Sequence, residues 1–550
     1  MDAPVEPTQG SSERPDPPRA PLGREPLLAP SAEVLVRYNA RVLDPSTAVR
    51  VPGQPPIRPT VYIGDRLIVS GMATDATRGT LADAAKRNGL QIVLDKDSSH
   101  LRTAELARRV GFQDDPTLFS HAVRLVPAGG GPAEPPDAWL VLQTFRALVG
   151  RGAAAAQQQV ALDHLLTATT GADIGGSPYT SPHGVGGVPY TSPHGVGDAS
   201  AQYGMPGWGG RTPVQWVGLE PYRRDDKEMT CRRPVVAVLD TGVGSHPWLG
   251  PTIVRRDASA AGVPMGIQDP ATDPEVAGVI DDPYEGVLDS DAGHGTFIAG
   301  LIRQVCPDAD ILAIRVMPSD GVVAESDLLD ALKLLVIRQN LARATPDASQ
   351  VIDVVSLSLG YYHEQPDDIT FDPQLLSPLR ALSRSGVAVV ASAGNDSTGR
   401  PAYPAAFTPY PGGQIPAFDA NCVPLISVGA LNPDGTIALF SNAGPWVACH
   451  RPGAALVSTF PVTFNASAES SYRAFVPGEG WRETIDPDDF RSGFGTWSGT
   501  SFAAPVLAGE LAQCLLELEG KFGAVAAADW AGAVERAWNA ITMRVKVDRP

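Results

Sequence analysis

Residues 235–242 read VVAVLDTG, and this stretch decides the fold of the second half of the chain. Five consecutive apolar side chains, Val235 to Leu239, are typical of a strand buried on both faces of a parallel sheet. Further strands of this kind are predicted at 311–316, 354–359, 387–391 and 424–428. Helices are predicted between them, over 295–303, 325–343 and 373–385. This alternation predicts right-handed crossovers and an α/β fold with a doubly wound, mostly parallel sheet.

Three polar residues stand at the ends of these elements. Asp240 ends the first strand, His294 opens a predicted helix, and Asn395 follows a later strand. In a doubly wound sheet, functional residues gather at the carboxyl ends of the strands, so we expect these side chains to converge. An acid, an imidazole and an amide are the groups that a serine nucleophile needs for orientation, proton transfer and oxyanion stabilisation.

The serine is supplied by GTSFAAPVLAG, residues 499–509. We expect a tight turn here that leads into an apolar helix over 506–518. A serine at a helix start meets unpaired backbone N–H groups and the positive end of the macrodipole, which stabilise a negative charge beside its oxygen. Ser501 is therefore the candidate nucleophile.

Together these segments resemble the subtilisin-like serine peptidases over roughly residues 232–515. The matching blocks occur in family order and are VVAVLDTGVGSHPWL (235–249), HGTFIAG (294–300), VVSLSLG (354–360), VVASAGN (389–395) and GTSFAAPVLAG (499–509). The resemblance implies a serine-type endopeptidase with the triad Asp240, His294 and Ser501. It also implies an oxyanion hole made by Asn395 and the backbone N–H of Ser501.

The resemblance further implies the walls of a substrate cleft. Ala393 and Gly394, beside Asn395, would form one wall. The opposite wall should pair with an extended substrate backbone, and its residues are Ser356, Leu357, Ser358, Leu359 and Gly360. The expected substrate is a protein or a peptide.

The chemistry implied by the resemblance needs no cofactor, and no catalytic metal site is predicted. Acidic segments at 269–291 and 361–372 are interpreted as solvated surface. Two alternatives stay open for them. One is structural calcium, which is common in the family, although no EF-type ligand spacing is present. The other is an electrostatic collar that favours basic peptides.

The chain before the catalytic segment divides into three parts. Residues 1–30 are rich in proline and charge, and we expect them to be disordered. Residues 31–166 predict a small α/β or α+β domain, which ends in a helix over 153–166. Residues 167–214 contain an 11-residue unit repeated twice, GSPYTSPHGVG and GVPYTSPHGVG (176–197), and are interpreted as a flexible linker. A recognition or cleavage segment is the alternative for this stretch.

Relatives in the resembled family often carry an N-terminal propeptide that assists folding, blocks the cleft and is cut away. By this analogy the domain 31–166 is an inhibitory or partner-binding domain, and the repeat is its tether. Any self-cleavage is expected between 167 and 232. The catalytic domain is expected over 215–550, with a helix at its C-terminal end.

Composition excludes some classes of partner. The 550 residues carry a net charge of −18, which argues against nucleic acid or an anionic membrane surface as partner. Residues 1–30 lack the apolar region of a signal peptide, and no run of about 18 apolar residues predicts a membrane span. The five cysteines are scattered and are interpreted as buried reduced thiols. We therefore expect a cytoplasmic protein, of bacterial type by its Ala/Gly/Pro-rich composition.

Two other functions stay open at this point. A peptide macrocyclase or transamidase would use the same acyl-enzyme and pass the acyl group to an amine. A binding scaffold with a silent catalytic domain would keep the fold without the reaction. Product mass and labelling by a fluorophosphonate distinguish these alternatives from a peptidase.

Overall fold

The computed structural model describes most of the chain. The described residues are 25–26, 28, 30–51, 54, 56–94, 99–129, 135–150, 157–168, 203, 205, 209–344, 350–365, 373–410, 421–522 and 529–547. The segment 1–24 of the expected disordered N-terminus and the tandem repeat at 176–197 lie outside these residues.

The N-terminal domain is an antiparallel sheet with helices packed on it. Its elements in chain order are α1 (Ala32–Arg37), β1 (Ala40–Leu43), β2 (Thr60–Val69), α2 (Asp75–Arg87), β3 (Leu90–Val93), α3 (Ser99–Arg109), β4 (His121–Pro127), α4 (Ala138–Val149) and β5 (Val160–Ala168). The strands pair in the order β5–β2–β4–β3, and β1 lies along part of β2. An apolar core under α2 and α4 includes Leu81, Phe145 and Leu162.

The predicted helix over 153–166 is wrong for its described part, because residues 160–168 form the strand β5. Eight of its nine residues are buried. Alanine and leucine favour helix in isolation, but β5 has strand partners on both sides, and tertiary pairing overrides propensity. The strand also extends two residues past 166, into the stretch that the sequence assigns to the linker.

The second domain, which the sequence predicts to be catalytic and which is called the catalytic domain below, contains the remaining strands and helices. They are β6 (Thr212–Pro213), β7 (Val235–Asp240), β8 (Val254–Arg255), β9 (Ser259–Ala260), β10 (Val263–Pro264), α5 (His294–Val305), β11 (Asp310–Arg315), β12 (Val322–Ala324), α6 (Glu325–Ala344), β13 (Val354–Leu357), β14 (Leu359–Gly360), α7 (Pro373–Arg384), β15 (Ala388–Ser392), β16 (Leu425–Leu431), β17 (Cys449–Pro452), β18 (Leu456–Thr459), β19 (Arg473–Val476), β20 (Gly480–Glu483), β21 (Phe494–Trp497), α8 (Thr500–Phe522) and α9 (Trp530–Arg544). Strand β6 pairs with β21, so residues 212–213, which the sequence assigns to the linker, already belong to this fold.

A seven-stranded parallel sheet runs in the order β17–β16–β15–β13–β7–β11–β8. Alternate residues of β7 face opposite cores: Val236 and Val238 pack with α5, α8 and α9, whereas Val235 and Leu239 pack with α6 and α7. Helices therefore cover both faces, and the predicted doubly wound α/β fold is confirmed.

Helix α8 begins at Thr500, six residues before the predicted start. The expected turn over 499–505 is thus the first part of the helix, and Pro505 lies inside it. Proline has no N–H to donate to the carbonyl four residues earlier, which is that of Ser501. The Ser358 hydroxyl donates to this carbonyl instead, at 2.8 Å, so the helix tolerates the proline.

By length and composition, the stretch Thr500–Glu519 of α8 could cross a membrane. However, 72% of its most apolar window is buried inside the fold, where it packs against α5 and β16. Its apolar character is accounted for by this central position.

Candidate active site

Asp240 and His294 are brought together by a strand end and a helix start. Asp240 is the last residue of β7 and His294 the first of α5, and both are buried. The Nδ1 atom of His294 lies 2.7 Å from Oδ1 of Asp240. Burial lowers the pKa of His294, but the charge and hydrogen bond of Asp240 outweigh it, so the pKa lies above its usual value. Gly295 is needed beside this pair, because a Cβ there would lie 2.0 Å from the carbonyl oxygen of Gly242.

Glu275 lies behind Asp240 and was not singled out by the sequence. The Thr241 hydroxyl contacts Oδ1 of Asp240 at 3.1 Å and Oε1 of Glu275 at 2.5 Å, and Thr296 donates to the other oxygen of Glu275. Burial raises the pKa of Glu275 to about 7, although the two threonine hydroxyls oppose this shift. The residue belongs to the acidic insert 269–291, where nothing in the local sequence separates it from the exposed acids around it.

Ser501 lies in the first turn of α8, close to Ser358. Its hydroxyl donates to the carbonyl oxygen of Ser358 at 3.3 Å, and its own carbonyl accepts from the Ser358 hydroxyl. Within the described part of the chain, Nε2 of His294 has no hydrogen-bond partner. The hydrogen bond that the predicted triad needs between Ser501 and His294 is therefore not formed in this arrangement.

Asn395 follows β15 and is held by the start of α8. Its Oδ1 accepts from both the backbone N–H and the hydroxyl of Thr500, at 2.9 and 3.0 Å. The Thr500 hydroxyl in turn accepts the N–H of Gly394 at 3.0 Å. With the oxygen fixed in this way, the Nδ2 donor is left without a partner among the described residues. A buried, unpaired N–H donor of this kind is suited to an oxyanion.

The structure separates the five residues predicted for one cleft wall. Ser356 and Leu357 belong to β13, which pairs with β15 on one side and β7 on the other, so they offer no free edge. Leu359 and Gly360 form the short strand β14, which does present an edge. Ser358 links the two strands.

Ala393 and Gly394 lie beside Asn395, and their polar groups are used inside the fold. The N–H of Ala393 donates to the Val428 carbonyl at 2.9 Å, and its carbonyl accepts from the Asn442 side chain at 2.9 Å. These contacts fix the loop that carries the amide.

The last strand of the N-terminal domain lies between two short strands of the second domain. The C-terminal half of β5 pairs antiparallel with β12 on one side and with β14 on the other. Thr167 is opposite both Val322 and Gly360, and the N–H of Ala168 donates to the carbonyl of Gly321 at 2.7 Å. Ala168 lies opposite Leu359, the residue that follows Ser358. An extended chain between two edge strands is the arrangement of a peptide bound by strand addition.

The N-terminal domain also completes the start of α6. The carboxylate of Asp163 in β5 accepts from the backbone N–H of Ser326 at 3.0 Å and from its hydroxyl at 2.8 Å. This is the role of an N-cap residue, supplied here by another domain. On the same helix, Asp330 contacts His100 at 2.7 Å and Lys333 donates to the Ser120 carbonyl at 2.6 Å.

Several acids of the insert 269–291 accept hydrogen bonds from backbone N–H groups of the same insert. Asp269, Asp282 and Asp289 accept from the backbone N–H groups of Ala271, Tyr284 and Ile280, respectively. Among the described residues, no three acids of this insert lie close enough together to share an ion. The observed donor set therefore does not fit an all-carboxylate calcium site at this place.

Comparisons with known proteins show the family of this chain. A model of the subtilase family matches residues 232–530, more than half of the chain. The serine protease AprX of Bacillus subtilis is 26% identical over 322 residues, 53% of this chain and 59% of the relative. The intracellular serine protease of Paenibacillus polymyxa is 27% identical over 292 residues, 50% of this chain and 65% of the relative. The chain thus spans less than two thirds of either relative.

Among solved structures, fervidolysin from Fervidobacterium pennivorans, described as a keratinolytic enzyme related to subtilisin, is similar at 16% identity. The TM-score is 0.42, with 85% of this chain and 56% of the other covered. The family match rests on the segment that carries Asp240, His294, Asn395 and Ser501. The chain belongs to the subtilase family, the subtilisin-like serine peptidases.

Proposed function

We propose that this protein is a serine endopeptidase whose N-terminal domain inhibits it by occupying the substrate cleft. The observation that carries the proposal is the hydrogen bond between His294 and Asp240, 2.7 Å long, in a chain whose candidate nucleophile lies in the first turn of a helix. Membership of the subtilase family supports a protein or peptide as substrate.

In the proposed mechanism Ser501 Oγ turns from the Ser358 carbonyl to Nε2 of His294. The imidazole takes the hydroxyl proton as the oxygen attacks the peptide carbonyl, and it later gives that proton to the leaving amine. Asp240 keeps the remaining ring proton on Nδ1 and stabilises the imidazolium. Nδ2 of Asn395 and the backbone N–H of Ser501 donate to the oxyanion. Water then hydrolyses the acyl-enzyme, and these groups complete the reaction without a cofactor.

The position of β5 supports the inhibitory role. The strand enters the cleft in an extended form, pairs with both edges and ends at Ala168 beside the segment that contacts Ser501. The sequence that follows is Thr169-Thr170-Gly171. We propose that the enzyme cuts its own chain within these residues, inside the 167–232 window expected from the sequence.

Labelling with a fluorophosphonate probe tests the catalytic part. Purified full-length protein is expected to become labelled, and the Ser501→Ala variant is expected not to. Ser492→Ala, which changes another serine of the same domain, is the matched control and should label like the wild type. Absent labelling of wild-type protein, even after limited proteolysis of residues 169–208, would favour the silent scaffold.

Mass spectrometry of the incubated full chain tests the regulatory part. We expect a new C-terminus between Ala168 and Gly171 in the wild type and an intact chain in Ser501→Ala. Addition of one water across the two fragments separates hydrolysis from acyl transfer to an amine. A cut confined to positions far from β5, or an equal cut in the Ser501→Ala variant, would contradict the proposal.

A cytoplasmic location stays a prediction, and so does structural calcium outside the insert 269–291. The relative from Paenibacillus polymyxa is an intracellular serine protease by name, which supports an intracellular site for this protein as well. Cell fractionation tests the first prediction, and the effect of a chelator on the melting temperature tests the second.

A further inference from the structure

A buried side chain of β5 fills a pocket of the catalytic domain. This residue, His164, precedes the proposed cleavage site at 169–171 in the chain. His164 has no exposed surface, and both of its ring nitrogens face carboxylates of the catalytic domain. Nδ1 lies 2.7 Å from Glu325 and Nε2 lies 3.0 Å from Glu364. The ring of Tyr361 stacks on the imidazole, with centroids 4.5 Å apart and an angle of 26° between the planes.

This pocket favours a cation. Burial lowers the pKa of His164, but hydrogen bonds and charge from Glu325 and Glu364 outweigh it and raise the pKa to about 10. A ring that donates from both nitrogens is an imidazolium. The stacked tyrosine adds an aromatic face, which also attracts cations.

The two domains contribute opposite charges to the pocket. From the N-terminal domain come His164 and Arg146, whose guanidinium lies 3.3 Å from Glu364. The catalytic domain provides Glu325, the first residue of α6, and Glu364, which follows β14. When the N-terminal domain leaves, both cations go with it and both carboxylates stay at the edge of the cleft.

The register of β5 relates this pocket to a substrate. Thr167 pairs with Gly360 as a bound peptide would, and His164 lies three residues before it on the same extended strand. We infer that the cleft has an acidic subsite, formed by Glu325, Glu364 and Tyr361, that binds a basic side chain three residues before the substrate residue paired with Gly360. This inference rests on the proposed function. It predicts that the enzyme prefers substrates with Lys, Arg or His at that position.

Part of this pocket, with the neighbouring His363, meets the distance condition for a metal ion, since ligand atoms of His164, His363 and Glu364 lie within 4.8 Å of one another. The hydrogen bonds favour the cation pocket. Both nitrogens of His164 face carboxylates, and Nδ1 of His363 accepts the N–H of Gln365 at 3.0 Å, which leaves its proton on Nε2. Neither ring then offers a lone pair to a metal.

The enzyme in this test is full-length protein that has completed self-processing. The substrates are quenched fluorescent peptides with the sequence of residues 160–172. The peptides carry His, Lys, Gln, Leu or Glu at the position of His164. We expect kcat/KM for the Lys peptide to exceed that for the Gln peptide by about 10-fold or more, as charge-assisted hydrogen bonds in a buried site imply. Glu325→Gln and Glu364→Gln enzymes should bring this ratio to about 2 or below. Glu479 is an exposed acid of the β19–β20 hairpin, and Glu479→Gln is the matched control. This variant should keep the wild-type ratio of kcat/KM between the Lys and Gln peptides.

Two results would overturn the subsite. One is a wild-type enzyme that cleaves the Lys and Gln peptides within twofold of each other at the same bond. The other is a preference for His alone that EDTA abolishes, which would indicate a metal site instead. Failure of the proposed function is distinct from both, because no peptide would then be cut and no fluorophosphonate would be bound.

Discussion

Ser358 serves two parts of the site with two atoms. Its hydroxyl fills the place of the N–H that Pro505 lacks, by donating to the carbonyl of Ser501. Its carbonyl accepts the hydroxyl of Ser501. The position of the nucleophile along α8 thus depends on a residue 143 positions away in the chain.

Replacement of Ser358 by alanine should therefore affect both stability and rate. Within a Ser501→Ala background, which prevents self-cleavage, we expect a loss of about 1–3 kcal/mol in the free energy of unfolding, because the carbonyl of residue 501 loses the hydrogen bond that the Ser358 hydroxyl donates to it. In the active protein, kcat should fall as well. Urea unfolding and peptide hydrolysis measure the two effects. Ser358→Thr retains the hydroxyl and should restore most of both, and a Thr variant as damaged as Ala would contradict this role.

Glu275 makes stability depend on pH. Its pKa is about 7 in the folded protein, above the ordinary value of 4.5, so the folded state binds the proton more tightly than the unfolded state. Its contribution to stability is fully present below pH 4.5 and is lost as the pH rises through 7. The loss amounts to at most about 3 kcal/mol.

A Glu275→Gln variant should not show this loss. In the Ser501→Ala background, we expect the variant to gain stability relative to the parent between pH 5 and pH 8.5, as measured by urea unfolding at each pH. Glu285→Gln, an exposed acid of the same insert, is the control and should follow the parent. Parallel curves for the parent and Glu275→Gln would show that Glu275 is ionised throughout.

At this scale the sequence predicted residues that end regular elements and missed residues that act through the tertiary fold. Asp240, His294 and Asn395 could be singled out because each stands at a strand end or helix start that local patterns define. Glu275 could not, because its burial depends on how the insert folds under Thr241 and Thr296. Ser356 and Leu357 were placed at an edge because the sequence does not show that β13 is central.

Among the elements, β5 is the strand that pairs with strands of both domains. Its first half pairs with β2 in the N-terminal domain, and its second half pairs with β12 and β14 of the catalytic domain. The sequence predicts a helix for most of these residues, because no local pattern reveals strand partners that lie more than 150 positions further along the chain. By contrast, β7, β13 and β15 were predicted well, since strands buried on both faces read as apolar runs.

An Ala168→Pro substitution should loosen β5 from the cleft. It removes the N–H that donates to the Gly321 carbonyl at 2.7 Å, and proline fits poorly between two paired strands. We expect freshly purified, uncleaved Ala168→Pro protein to react with fluorophosphonate about 5- to 10-fold faster than the wild type, the effect of about 1 kcal/mol of lost pairing. Ala168→Ser keeps the N–H and should react like the wild type, and equal rates for Pro and wild type would argue against occlusion.

Across the whole molecule, one apolar cluster joins the two domains, beside the separate core under α2 and α4. Leu166 of β5, Leu106 of α3 and Ile68 of β2 belong to the same buried cluster as Leu328 and Leu332 of α6. The sequence placed the domain boundary in this part of the chain from composition alone. It could not show that the domains pack together, because an apolar face does not reveal its partner.

The shared core predicts that Leu166→Ala weakens the whole protein. Leu166 is fully buried, so we expect a loss of about 2–5 kcal/mol in the Ser501→Ala background, within a single unfolding transition followed by circular dichroism and tryptophan fluorescence. Leu439→Ala, at a leucine that is 50% exposed, is the control and should change stability by less than about 0.5 kcal/mol. Two separate transitions in the parent would mean that the domains unfold independently.

The cap that Asp163 gives to α6 is available while the intact chain folds, but a processed catalytic domain lacks it. If the N-terminal segment is cut away as proposed, the first turn of α6 loses this cap. A mature enzyme that is denatured should then fail to regain activity on its own, whereas the intact chain should recover. The N-terminal domain would thus assist the folding of each molecule only once, before it is removed.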